Sequence, residues 1–79
     1  MTWNEAGGGL HRDLTFSDFA EAFAFMTRVG LIAQEQGHHP DMSISWNKVS
    51  ISITTHDAGN VVTDKDRKLA AAIDAMRGA

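Results

Sequence analysis

The order of apolar patterns along the chain predicts an α+β domain, with helices covering one face of an antiparallel sheet. Three observations carry this reading. Short stretches of strict alternation flank a longer stretch of three- and four-residue spacing. Two alternating stretches are joined by a connection short enough for a hairpin, and a second helical period closes the chain. With 79 residues and no linker, repeat or low-complexity segment, residues 1–79 read as one domain.

Taken in order, Met1 to Gly9 holds one aromatic, Trp3, and ends in Gly7-Gly8-Gly9, which reads as a loop before the first regular element. Leu10, Leu14 and Phe16 then share one parity with Arg12, against His11, Asp13 and Thr15 on the other. This predicts a half-buried strand with one charged exception on its apolar face. From Asp18 to Gln36 the period changes, and Phe19, Phe23, Met26, Val29 or Gly30, and Ala33 predict a helix. Ser17 is its expected N-cap, Asp18 and Glu21 suit the positive end of the dipole, and Gly37 is placed as the C′ residue. Phe19, Phe23 and Met26 are expected in the core, while Ala22 and Phe25 widen the apolar surface into a candidate subunit interface.

Met42, Ile44 and Trp46 alternate with Ser43, Ser45 and Asn47, and Val49, Ile51 and Ile53 with Ser50, Ser52 and Thr54. Two strands with one apolar face each follow, joined at Asn47-Lys48 with the Asn accepting a positive φ. Trp46 is expected in the core beside Met42 and Ile44. After a loop from His56 to Asn60 and the pair Val61-Val62, Thr63 and Asp66 form a Thr-x-x-Asp capping box. It opens a second helix through Leu69, Ile73 and Met76.

A chain this short buries a thin core, and with no cysteine it has no disulfide to reinforce it, so oligomerisation is the expected remedy. The lack of cysteine fits a cytoplasmic protein, and the N-terminus has neither the basic start nor the apolar run of a secretory signal. No stretch is apolar enough to span a membrane. The net charge of -3 and the lack of any long Lys/Arg run disfavour nucleic acid as a partner.

The unusual chemistry lies at Gly37-His38-His39-Pro40 and at His56. Gly37 ends a helix in the left-handed region and Pro40 pushes His39 toward extended backbone, so two imidazoles leave a defined corner. The negative end of the helix favours a cation beside it, which makes His38 a candidate general acid. His56 follows a strand, where loops often present functional side chains, although strict alternation puts it opposite the Val49-Ile51-Ile53 face. A single histidine near a helix end is usually a cap or a surface residue; three in two tight clusters weaken that reading. A metal reading would add His56 or Asp41 to the pair, but adjacent side chains rarely converge on one ion and no Cys or His-x-x-x-His spacing supports it, so no metal is expected. Asp66 reads as the N3 residue of a capping box at least as readily as a catalytic residue.

His38-His39-Pro40-Asp41, Trp46-Asn47-Lys48-Val49, Thr55-His56 and Thr63-Asp64-Lys65-Asp66 resemble, in order and spacing, the pterin-4a-carbinolamine dehydratase family. The likeness continues upstream through Phe16-Ser17-Asp18-Phe19 and Phe25-Met26-Thr27-Arg28-Val29 to Trp3-Asn4-Glu5, and the helix that usually precedes that Trp is missing. The resemblance implies a four-stranded antiparallel sheet with helices packed on one face, commonly assembled through sheet edges and packed helices into a homo-oligomer, a dimer or tetramer. It implies that His38, His39 and His56 are catalytic and that Gly37, Thr54, Thr55 and Asp57 line the substrate site with them. Lys65, Asp66 and Trp3 would lie near it. Gln34 stands where the family usually has an acidic residue, and Gly37 where it often has Asp or Asn. The implied reaction removes water from a 4a-hydroxytetrahydropterin to give quinonoid dihydropterin, as in tetrahydrobiopterin recycling, by proton transfers and with no cofactor. His38 or His56 would be the acid, and His39 would bind or polarise the hydroxyl. The rival reading is a non-catalytic dehydratase-like protein acting as a dimerisation or interaction cofactor, the role animal relatives play for a transcription factor.

Overall fold

The computed structural model describes residues 3–77; Met1 and Thr2, part of the expected opening loop, lie outside that range. Four strands, β1 (Asn4–Ala6), β2 (Gly9–Thr15), β3 (Asp41–Ser45) and β4 (Lys48–Ile53), form one antiparallel sheet in the order β1-β2-β4-β3. Helices α1 (Phe19–Gln36) and α2 (Asp64–Arg77) pack on one face of it. The expected α+β architecture is therefore present. Among the described residues, no helix is long and apolar enough to cross a membrane.

The register explains the core. Leu10 pairs with Ile53, Arg12 with Ile51 and Leu14 with Val49, so these side chains share the covered face. Leu10, Leu14, Val49, Ile51 and Ile53 are buried there against Ala22, Phe25, Val29 and Ala33 of α1 and Leu69, Ala70 and Ile73 of α2. Arg12, the charged exception, is accommodated by Asp74 of α2, with Nη1 2.7 Å from Oδ1 and the guanidinium 5.8 Å from the Trp3 ring centroid. The opposite face of the sheet carries His11, Asp13, Thr15, Ser43, Ser50 and Ser52, none of them fully buried.

Five expectations need correction. Residues 4–6 form an edge strand rather than loop; all three are exposed, so no alternation marks them, and Gly7 and Gly8 turn the chain with φ of 58° and 80°. The N-cap of α1 is Asp18, whose carboxylate accepts from Glu21 N at 2.8 Å, while Ser17 N donates to Glu21 Oε1 at 2.9 Å. The side of α1 facing the sheet is centred on Ala22, Phe25, Val29 and Ala33, a stripe rotated from the one read off the sequence. Phe19 and Phe23 stand 49% and 53% exposed, and Met26 is only partly buried. The β3–β4 turn is Trp46-Asn47, because Ser45 pairs with Lys48, and the positive φ (51°) belongs to Trp46. That turn swings Trp46 out of the alternation to 67% exposure instead of into the core, while Asn47 ties the turn to the residue after β2 by donating from Nδ2 to Phe16 O at 2.9 Å.

Candidate active site

The C-terminus of α1 sets the first two histidines. Gly37 adopts φ 65°, its N–H bonding Gln34 O at 3.2 Å, and His38 N bonds Ala33 O at 3.1 Å. This αL ending satisfies the last carbonyls and turns the chain sharply, so His38 and His39 leave the helix toward the end of β4 before Pro40 leads into β3. The third histidine arrives by a break in alternation. β4 stops at Ile53, Thr55 forms an isolated bridge with Val61, and His56–Ala58 make a single 3-10 turn closed by Gly59 at φ 88°. Thr54 Oγ1 donates to Gly8 O at 2.6 Å, so the β1–β2 turn supports this corner.

The result is a cavity of about 220 Å³ lined by Gly37, His38, His39, Thr54, Thr55, His56, Asp57 and Lys65. It is smaller than the roughly 300–1,000 Å³ of drug-sized pockets, which suits a small molecule. Each imidazole has one nitrogen tied to an acceptor. His38 Nε2 lies 2.5 Å from Asp66 Oδ1, His39 Nε2 lies 2.8 Å from Gln34 Oε1, and His56 Nδ1 lies 2.7 Å from Asn60 Oδ1. A carboxylate or an amide oxygen only accepts, so in each ring that nitrogen carries the proton. The second nitrogen of each ring, Nδ1 of His38 and His39 and Nε2 of His56, takes no part in these bonds.

Asp66 is the side chain that joins the helix to the site. It is fully buried, and besides His38 it accepts from Thr63 N at 2.7 Å and Thr55 Oγ1 at 2.7 Å. Burial raises its carboxyl pKa, but the hydrogen bond from His38, those from Thr63 N and Thr55, and the charge attraction of His38 outweigh it and hold the pKa below the ordinary 3.8. The Asp66 carboxylate thus reaches back to Thr63 N at the start of α2, as a capping-box residue does, and also bonds His38.

The cavity collects eight residues named from the sequence and brings Gln34 and Asp66 behind it. Trp3 is elsewhere: its indole Nε1 donates to Asp74 Oδ1 at 3.0 Å in a groove between β1 and α2. Sequence reasoning missed Asn60, the partner of His56. Its αL conformation (φ 59°) after Gly59 marks the tight turn that carries its amide back to the imidazole, and a polar residue four positions beyond the histidine was the available signal. Among the described residues, no three His, Cys, Asp or Glu side chains are grouped to hold a metal ion.

Fold and cavity together define a small α+β protein with three histidines gathered on one cavity. The chain belongs to the pterin-4a-carbinolamine dehydratase family: the family model described as Pterin 4 alpha carbinolamine dehydratase matches residues 1–76. A protein of Synechococcus sp. (strain WH7803), named provisionally as a pterin-4-alpha-carbinolamine dehydratase, is 51% identical over 74 residues, covering 94% of this chain and 78% of its own. A Rhodospirillum rubrum protein with the same provisional name is 51% identical over 77 residues, 98% of this chain and 79% of its own. Among solved structures, a transcriptional coactivator/pterin dehydratase from Brucella melitensis superposes with a TM-score of 0.86 at 33% identity, covering 92% of this chain and 79% of that one. A pterin dehydratase-like protein identified as a RuBisCO assembly factor in the alpha-carboxysome gives 0.82 at 26% identity, covering 100% and 93%.

Proposed function

We propose that this chain dehydrates a 4a-hydroxytetrahydropterin by general acid-base catalysis. The observation that carries the reading is the convergence of three imidazoles on one cavity, each with one nitrogen anchored and one left over. The reaction breaks the C4a–O bond, removes the proton on N5 and forms the C4a=N5 double bond of quinonoid dihydropterin, releasing water. Hydroxide leaves poorly unless it is protonated as it departs. An ionised carboxylate compensates a positive ring, whereas an amide oxygen only matches a neutral N–H. His38, backed by Asp66, is therefore the proton donor to the departing oxygen, and His56, backed by Asn60, takes the N5 proton. His39 binds and polarises the hydroxyl. General acid-base catalysis of this kind contributes about 10²–10⁴-fold. The reading extends to a cytoplasmic homo-oligomer, dimer or tetramer, that needs no cofactor for tetrahydropterin recycling.

The test is rapid-mixing dehydration of a synthetic 4a-hydroxytetrahydropterin at neutral pH. His38→Ala and His56→Ala should each lower turnover about 10²-fold or more, and unchanged rates would remove the proposed pair. A second reading, a non-catalytic assembly protein, is favoured by the exposed Phe19, Phe23 and Leu31 of α1 and by the assembly factor among the structural neighbours. Such a protein would leave the substrate to dehydrate at the uncatalysed rate.

A further inference from the structure

The tight turn between β1 and β2 rests on the loop that follows the third histidine. Ala6 pairs with Gly9, so Gly7 and Gly8 form a two-residue turn with φ of 58° and 80°. Positive φ at both positions matches the twist of the flanking strands, and glycine and asparagine visit that region most readily. A second constraint falls on Gly8 alone. A Cβ at residue 7 would meet open space, whereas one at residue 8 would overlap the carbonyl oxygen of Asn60 and lie 3.1 Å from its carbon. The Gly8 carbonyl meanwhile accepts from Thr54 Oγ1 at 2.6 Å. The turn is thus seated against the backbone of Asn60 and tied to the residue that follows β4.

Asn60 decides the state of His56. Its own backbone is left-handed, with φ 59°, and is held by its N–H bonding Thr55 O at 3.1 Å and by the Thr55–Val61 bridge beside it. From there its Oδ1 stands 2.7 Å from His56 Nδ1. In a neutral imidazole the position of the proton is set by such a partner. The amide oxygen keeps the proton on Nδ1 and leaves Nε2 bare. The bond is exposed, so a freely moving asparagine would exchange it for water at little cost. Its weight comes from a backbone that already holds the amide in place.

We propose that Gly8 is a positioning residue for His56: seated against Asn60, it holds the amide that keeps the imidazole proton on Nδ1 and Nε2 free to accept. On the reading given under Proposed function, Nε2 is the nitrogen that takes the N5 proton, so the turn sets the fraction of protein ready to react. His38 is held separately, by buried Asp66, and is independent of the turn.

Long-range 1H–15N correlation spectra of the ligand-free, 15N-labelled chain read the tautomer of each neutral ring directly. Wild type and Gly7→Asn should show His56 with its proton on Nδ1. Gly8→Asn should shift the ratio toward Nε2–H by about three- to tenfold, the weight of one side-chain hydrogen bond. Thr54→Val removes the tie to Gly8 O without straining the backbone; it should move the ratio the same way by less, and it decides the matter if Gly8→Asn does not fold. An unchanged His38 signal, with its proton on Nε2, shows that the rest of the site is intact. In dehydration assays kcat should fall in step with the Nδ1–H fraction. The positioning role is overturned by a His56 proton on Nε2 in wild type, by a ratio unmoved in both Gly8→Asn and Thr54→Val or moved equally in Gly7→Asn, or by a kcat indifferent to a shifted tautomer. Absence of turnover in wild type overturns the dehydratase reading instead, and the spectra still decide the role of Gly8.

Discussion

Replacing Asp66 by Asn tests the link between the fold and the chemistry, because the new side chain keeps the shape and removes the charge. In the native protein one carboxylate oxygen serves His38 at 2.5 Å, and the other serves Thr63 N and Thr55 Oγ1, both at 2.7 Å. Asparagine has one oxygen, so it can serve either His38 or the start of α2, and its NH2 meets a donor at the other position. A buried hydrogen bond to a charged group contributes about 1.5–3 kcal/mol, and an unsatisfied buried donor costs about 1–3 kcal/mol. The expected loss is about 2–4 kcal/mol, which for a domain of this size lowers Tm by roughly 10–25 °C. Below that temperature kcat should fall about 10²-fold, the lower end of general acid catalysis, as His38 loses its orienting carboxylate. The pH dependence has a definite sign. A carboxyl whose folded pKa lies below its ordinary 3.8 contributes its full stability above that value and loses it as pH falls through the folded value. The part of the stability difference between wild type and Asp66→Asn that comes from the ionised carboxylate should thus persist down to about pH 4 and shrink below it. Urea titrations across that range, with dehydration rates on the same samples, measure both effects. Equal stability at neutral pH together with turnover within about threefold of wild type would refute the dual role assigned to Asp66.

The remaining expectations concern the second histidine, metals and assembly. Gln34→Glu puts a carboxylate where an amide oxygen now sits 2.8 Å from His39 Nε2, and the pH–rate profile should move to higher pH; an identical profile would show that His39 is not coupled to the reaction. Activity should survive exhaustive chelation, since proton transfers suffice for the elimination; recovery only on adding zinc would replace the acid-base account with a metal one. Phe19 and Phe23 stack on the outside of α1 at 5.7 Å between ring centroids, with Leu31 68% exposed further along. Exposed apolar surface of this kind marks interfaces, so wild type should sediment above monomer mass at micromolar concentration and Phe23→Glu should shift it toward monomer. A wild-type monomer would show that this face is left to solvent.

The α+β class, both helices, the two central strands and the β3–β4 hairpin were legible because each bears a period or turn signal within a few residues. The corner that presents His38 and His39 was legible for a related reason: a helix-ending glycine and a proline specify the backbone around the pair, whatever lies beyond. Alternation carried no such information about β1, whose three residues are all exposed, nor about Trp46, which the turn carries out of its strand's pattern. It also pointed His56 to the open face of the sheet, and only the bridge from Thr55 to Val61 and the 3-10 turn that follows bring it to the cavity wall. The apolar period also put the wrong side of α1 against the sheet, because Phe19, Phe23 and Met26 are as apolar as Ala22, Phe25 and Val29, and a helix with two apolar stripes is oriented by what it packs against. The pairings of Asp66 with His38 and His11 with Ser52 join residues 28 and 41 positions apart. Local sequence determined the residue types and the turns that present them; their convergence required the sheet register and the docking of α2, which are properties of the folded chain.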